Sequence, residues 1–153
     1  MPEHPGYLLK RAQAALHDAM AAVLAEHALT VSLYATLVNV VDEPGRSNAD
    51  LARAAFVTPQ TMNLLLRDLE ARGLVERTHH PQHGRVLQAR PTDAGRRTAE
   101  SATGQVDEVE RRMVAGLTDA QQGAFVAALT SCIAALAPAP SGQPRSTNPP
   151  SSS

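Results

Sequence analysis

The chain has 153 residues, enough for about one domain, and only 3% of them are aromatic, so its core must be built mainly from Leu, Val and Ala. No apolar run reaches the roughly eighteen residues a membrane-spanning helix needs, and a single cysteine, Cys132, excludes an internal disulfide framework and fits a reducing cytoplasm. The net charge of −1 argues against indiscriminate nucleic-acid binding, yet residues 46–97 carry nine Arg against five acids, a local +4 within an acidic remainder. The N-terminal MPEHPGYLLKRAQ has neither an apolar signal core nor a small-residue cleavage site, so secretion is not expected.

From Gly6 to His27 the apolar residues Leu9, Ala12, Leu16, Met20, Val23 and Leu24 recur at helical spacing. Thr30 is placed to cap a second helix with Leu33, Tyr34, Leu37, Val38 and Val41 on its apolar face, and Asp42-Glu43-Pro44-Gly45 ends it. Ser47, with Asp50 three residues on, predicts a capping box and a short helix that turns Leu51, Ala52 and Ala55 inward. Thr58-Pro59 pairs an N-cap with Pro at the first helical position. The helix it opens has Met62, Leu65, Leu66 and Leu69 as its buried stripe and Gly73 at its C-terminal end.

Leu74–His79 and Arg85–Arg90 are short enough to be strands, joined by His80-Pro81-Gln82-His83-Gly84. Thr92-Asp93-Ala94-Gly95 begins a long helix in which Ala102, Val106, Val109 and Met113 repeat about every 3.5 residues, the seam of a helix packed along another. Leu117-Thr118-Asp119 breaks it and caps a last helix with Phe125, Leu129, Cys132, Ile133 and Leu136 on one side. From Pro138 on, Pro and Ser dominate and disorder is expected.

Helix, tight turn, helix and basic hairpin in that order predict a mainly α chain with a small β wing, an α+β winged helix-turn-helix that reads DNA. In such a motif the second helix enters the major groove. Removing the buried stripe from helix 58–72 leaves Gln60, Thr61, Asn63, Leu64 and Arg67 outside. Gln and Asn can pair with adenine through two atoms, and Arg with guanine in the same way. Thr58 and Thr61 stand beside a helix N-terminus, a natural seat for a phosphate. Ser47, Asn48, Arg77, His83 and Arg85 complete the expected contact set. On their own the polar positions are what any solvated helix face carries; the capped helix before them and the basic hairpin after them point to DNA.

At these residues the sequence resembles the MarR family of bacterial regulators. The resemblance runs from about Leu29 to Arg97 through Asn48-Ala49-Asp50-Leu51-Ala52, Val57-Thr58-Pro59-Gln60-Thr61-Met62, Leu69-Glu70-Ala71-Arg72-Gly73-Leu74-Val75-Glu76-Arg77 and Pro91-Thr92-Asp93-Ala94-Gly95-Arg96. It implies a homodimer in which residues 1–30 and 98–137 form dimerisation helices around a DNA-binding domain at 31–97, with 138–153 as a tail. It further implies double-stranded DNA with a pseudo-palindromic operator as partner, two recognition helices in successive major grooves and wing tips in the flanking minor grooves. A repressor released by an aromatic or phenolic small molecule follows from the same resemblance, with His17, Met20, Tyr34 and Asn39 as candidate effector contacts.

Two departures stand out. The family wing commonly carries Asp-x-Arg-Arg, whereas this one has His83-Gly84-Arg85, leaving Arg85 for the minor groove and Gly84 to supply a positive-φ turn. Phe56 stands where the family turn often has Gly; since a bulky residue tolerates positive φ poorly, a differently built turn with Phe56 plugging the core is expected.

His79, His80 and His83 lack the four-ligand set that zinc prefers, so no metal is expected. Cys132, on the apolar side of the last helix, reads as an inert core thiol and not a redox sensor. No HExxH, P-loop, GxGxxG or nucleophile-elbow pattern occurs, so neither an enzyme nor a cofactor is expected. The alternative to a DNA-binding regulator is a winged-helix module used only for protein association.

Overall fold

The computed structural model describes residues 4–138; the expected disordered tail, past Pro138, lies outside the described residues. The chain forms two compact units, one reaching to Met113 and one beginning at Val114.

In the first unit, Pro5 opens helix α1 (Pro5–Leu24) at a position whose N–H would be unpaired in any case. A 3-10 turn at Ala25–His27 and Ala28 in the left-handed region, at φ +54°, lead into α2 (Val31–Asp42). The axis bends by 72° there. Thr30 caps α2 as expected, its Oγ1 accepting from the Leu33 amide at 3.1 Å. Arg46–Ser47 then forms a short strand, β1, that sequence patterning did not anticipate.

Ser47 ends β1 and also caps α3 (Asn48–Ala54), with the predicted capping box to Asp50 present in both directions. The Ser47 hydroxyl, which donates to the Asp50 carboxylate at 2.7 Å, holds that carboxyl below its ordinary range; the Ser47 amide, Arg53 and Arg46 act in the same sense. Helix α4 (Pro59–Ala71) follows, capped by Thr58, whose Oγ1 accepts from the Thr61 amide at 3.1 Å. Gly73 at φ +69° turns the chain out of it.

Strands β2 (Val75–His79) and β3 (Leu87–Pro91) pair antiparallel from Val75 opposite Pro91 to His79 opposite Leu87. β1 adds to the other side of β3, through Arg46 opposite Ala89, so the sheet order is β1-β3-β2. β3 begins later than predicted because His83–Val86 is a tight turn, closed by the Val86 amide on the His83 carbonyl at 2.8 Å.

Thr92 joins the wing to α5 (Asp93–Val114): its hydroxyl donates to the Gly73 carbonyl at 2.6 Å and accepts from the Gly95 amide at 3.0 Å. The core behind this frame is aliphatic, as composition required, with Leu24, Leu37, Leu51, Met62, Leu66 and Leu69 fully buried. Among the described residues no single helix is long and apolar enough to cross a membrane.

The second unit contains α6 (Asp119–Leu136), capped by a Thr118–Gln121 capping box. None of its residues is buried; Phe125, Val126, Ile133 and Leu136 all face outward. The reading of Cys132 as a buried core thiol is corrected, since the residue is exposed in the chain.

Candidate nucleic-acid interface

Helix α4 is held at three levels, the first two on the flank that faces α3 and β2. Near its start, Asn48 of α3 donates from Nδ2 to the Pro59 carbonyl at 3.0 Å, with its Oδ1 buried and unpartnered among the described residues. Midway, Arg77 of β2 donates from Nη1 to Asn63 Oδ1 at 2.8 Å and from Nε to Glu70 Oε2 at 2.8 Å. At its end, Arg72 holds Asp68 at 2.6 Å and reaches back to the carbonyl of Ala28. Met62, Leu66 and Leu69 are buried beneath.

What remains outside is a continuous face. Gln60, Thr61, Leu64 and Arg67 are exposed, and Leu64 retains 66% of its free surface between the polar positions. Thr58 donates its hydroxyl to Thr61 Oγ1 at 3.0 Å, which leaves the Thr61 proton free to meet an external acceptor at the helix N-terminus. Among the described residues, neither Arg67 nor Arg85 is held in an ion pair, in contrast to Arg46, Arg53, Arg72 and Arg77. An unpaired guanidinium beside a helix-presented polar face can meet a base edge or a phosphate without first breaking a bond.

Several expected contacts are differently placed. Arg77 is largely buried, with 12% of its side chain exposed, and fully engaged inside the chain. Asn48 is half-buried and Ser47 is committed to its capping box. Asn63 is half-buried and keeps only Nδ2 available. These four sit within the reading head as braces and caps.

The wing tip carries His83 and Arg85, both exposed. His80 shapes it: Nδ1 accepts from the amides of Gln82 and His83 at 3.0 and 3.1 Å, and its ring lies 4.9 Å from that of His83. Gly84 does not enter the left-handed region, contrary to expectation, because a turn closed from His83 to Val86 needs no positive φ. No group of His, Cys, Asp or Glu suited to a metal occurs among the described residues.

Phe56 reverses its expectation on both counts. It adopts φ +55° itself, and its side chain is 96% exposed instead of plugging the core. The backbone takes the left-handed conformation and the side chain is turned outward.

The four candidate effector residues are not gathered into one cavity. Tyr34 is buried, its hydroxyl 3.1 Å from Thr103 Oγ1, and Asn39 gives Nδ2 to the Ala35 carbonyl at 2.9 Å. His17 is exposed beside Asp18, and Met20 is half-buried. A cleft of about 520 Å³ between α2 and α5 is lined by Val38, Val41, Arg96, Glu100 and Thr103, and by none of the four.

A capped helix pair followed by the hairpin β2–β3, which β1 from before the pair completes into a three-stranded antiparallel sheet, defines a winged helix-turn-helix protein. The MarR family model matches residues 28–86. The HTH-type transcriptional repressor Rv2887 of Mycobacterium tuberculosis is 42% identical over 120 residues, covering 78% of this chain and 86% of the relative. The crystal structure of that MarR family protein in complex with DNA aligns with a TM-score of 0.72 at 37% identity, over 84% of this chain and 97% of that one. Its complex with p-aminosalicylic acid aligns with a TM-score of 0.69 at 38% identity, over 84% and 98%. The chain belongs to the MarR family.

Proposed function

We propose that this protein is a dimeric, sequence-specific DNA-binding transcriptional repressor, acting in the cytoplasm without catalysis and released from its operator by a small aromatic acid. The observation that carries the reading is the division of α4 into a flank clamped by Arg77 through Asn63 and Glu70 and an outward face. On that face Gln60, Thr61, Leu64 and Arg67 are exposed, above a wing that offers His83 and Arg85. Asn63 contributes through Nδ2 and Thr58 through the helix N-terminus.

A second copy of the chain is supported by the apolar surface it leaves uncovered. Tyr7, Leu8 and Leu9 of α1 and Phe125, Val126, Ile133 and Leu136 of α6 are exposed, more than scattered single residues account for. A groove lined by Ala12, Leu16, Val109 and Met113 runs between α1 and α5. Dimerisation sets two reading heads on one duplex, which demands a pseudo-palindromic site. The effector class follows from the relative crystallised with p-aminosalicylic acid; His17 and Met20 remain its candidate contacts on α1.

The test is a gel shift with the intergenic duplex upstream of the chain's own gene against a shuffled duplex, with and without salicylate. A selective shift that salicylate weakens is expected. Equal retention of both duplexes at low salt would overturn sequence-specific regulation and favour a role in protein association.

A further inference from the structure

We propose that Arg77 is a positioning residue for base readout: it pins the Asn63 amide so that Asn63 reads its base as a hydrogen-bond donor. The inference rests on the DNA-binding function proposed above and assigns the chemistry of one contact within it.

The geometry is a three-residue clamp. Asn63 and Glu70 stand seven residues apart on α4, two helical turns, and the guanidinium of Arg77 on β2 spans them. Glu70 takes Nε at 2.8 Å and Nη2 at 2.7 Å on one carboxylate oxygen, which fixes the guanidinium plane; Nη1 is then delivered to Asn63 at 2.8 Å. A guanidinium has donors only, so the amide atom that faces it must be Oδ1. Nδ2 therefore points away from Arg77, and among the described residues nothing accepts from it. A free Asn can turn either atom to a base. This one is turned before DNA arrives.

Major-groove chemistry then limits what Asn63 accepts as partner. Purine N7, guanine O6 and thymine O4 are acceptors, while cytosine presents only its N4 amino donor. The base at the Asn63 position is any but cytosine. Arg77 itself, largely buried and with each guanidinium nitrogen turned onto Glu70 or Asn63, is not offered to a phosphate.

The test selects duplexes from a random library with the full chain, as wild type, Asn63→Ala, Arg77→Lys and the double variant. Lysine keeps the charge opposite Glu70 but lacks the planar fork that reaches both partners. Wild type should show one column per half-site from which cytosine is depleted at least fivefold on the contacted strand. Asn63→Ala and Arg77→Lys should each flatten that same column, the double variant should match Asn63→Ala, and the salt dependence of Arg77→Lys should equal that of wild type. Asn63→Asp, which keeps its contact with Arg77 and presents an acceptor outward, should admit cytosine there, and it decides the matter if Arg77→Lys does not fold. Uniform weakening on all duplexes, a salt slope lowered by about one ion, or different columns for the two variants would overturn the inference while leaving DNA reading intact. A wild type that selects no sequence would overturn the proposed function itself, and this inference with it.

Discussion

A Cβ on Gly95 would lie 1.9 Å from the carbonyl oxygen of Leu74, so the first turn of α5 rests directly on the backbone that leaves α4. The contact fixes the angle between the wing and the helix behind it. Gly95→Ala forces that carbonyl aside and should cost on the order of 3 kcal/mol, read as a lower urea midpoint at unchanged m-value. Gly84→Ala, with nothing within 4 Å of the new atom, is the control and should be neutral.

Phe56 combines a left-handed backbone with a solvent-exposed ring. Phe56→Gly removes the backbone penalty of a side chain at positive φ and should raise stability by about 1 kcal/mol, after allowing for the added freedom of Gly in the unfolded chain. A midpoint that falls would show that the ring gains contacts in the native protein that its exposure conceals.

Asp50 titrates below its ordinary range when folded, chiefly through the Ser47 hydroxyl. A carboxyl with a depressed folded pKa binds protons more readily when unfolded, so its contribution to stability is present above the unfolded pKa and lost as pH falls through the folded one. Stability should therefore decline on acidification below pH ~4, and less steeply in Ser47→Ala. That variant should also lose about 1 kcal/mol at neutral pH with its N-cap. Identical acid limbs in the two proteins would show that the Ser47–Asp50 pair carries none of the effect.

Arg67 and Arg85 should separate by type of contact. Arg67→Ala on the α4 face should cost about 1–3 kcal/mol of operator binding and relax the base preference at one position. Arg85→Ala at the wing tip should weaken selected and random duplexes alike and lower the slope of log affinity against log salt by about one. Equal loss on specific and random DNA for Arg67→Ala would reduce it to a phosphate contact.

The helices were legible because their signals are local. Thr30, Ser47, Thr58 and Thr118 each mark a helix start within three residues, and a cap needs no knowledge of the rest of the chain. β1 was not legible: two residues with no alternation become a strand only because β3 lies beside them. The contact set was half legible for the same reason. Exposure of Gln60 and Arg67 follows from helical periodicity, but the diversion of Asn63 and Arg77 into a clamp depends on where β2 returns past α4. The spacing of Glu70 and Arg77, an acid in the last turn of one helix and a base on the next strand, was the signal for it. The Phe56 turn was not legible because steric preference argues against a left-handed Phe, whereas the fold imposes φ and the residue bears the strain.

Because Ser47 is at once the end of β1 and the cap of α3, the sheet is bolted to the reading head at one rim. The wing is built as a cantilever: its root, where β1 and β3 pair, is anchored to α3, and the hairpin is bonded across as far as the His80 amide on the Val86 carbonyl, so the unsupported tip is residues 81–85. Grooves of different width should thus be met by the five residues 81–85, with the spacing between wing root and recognition helix set by the fold alone.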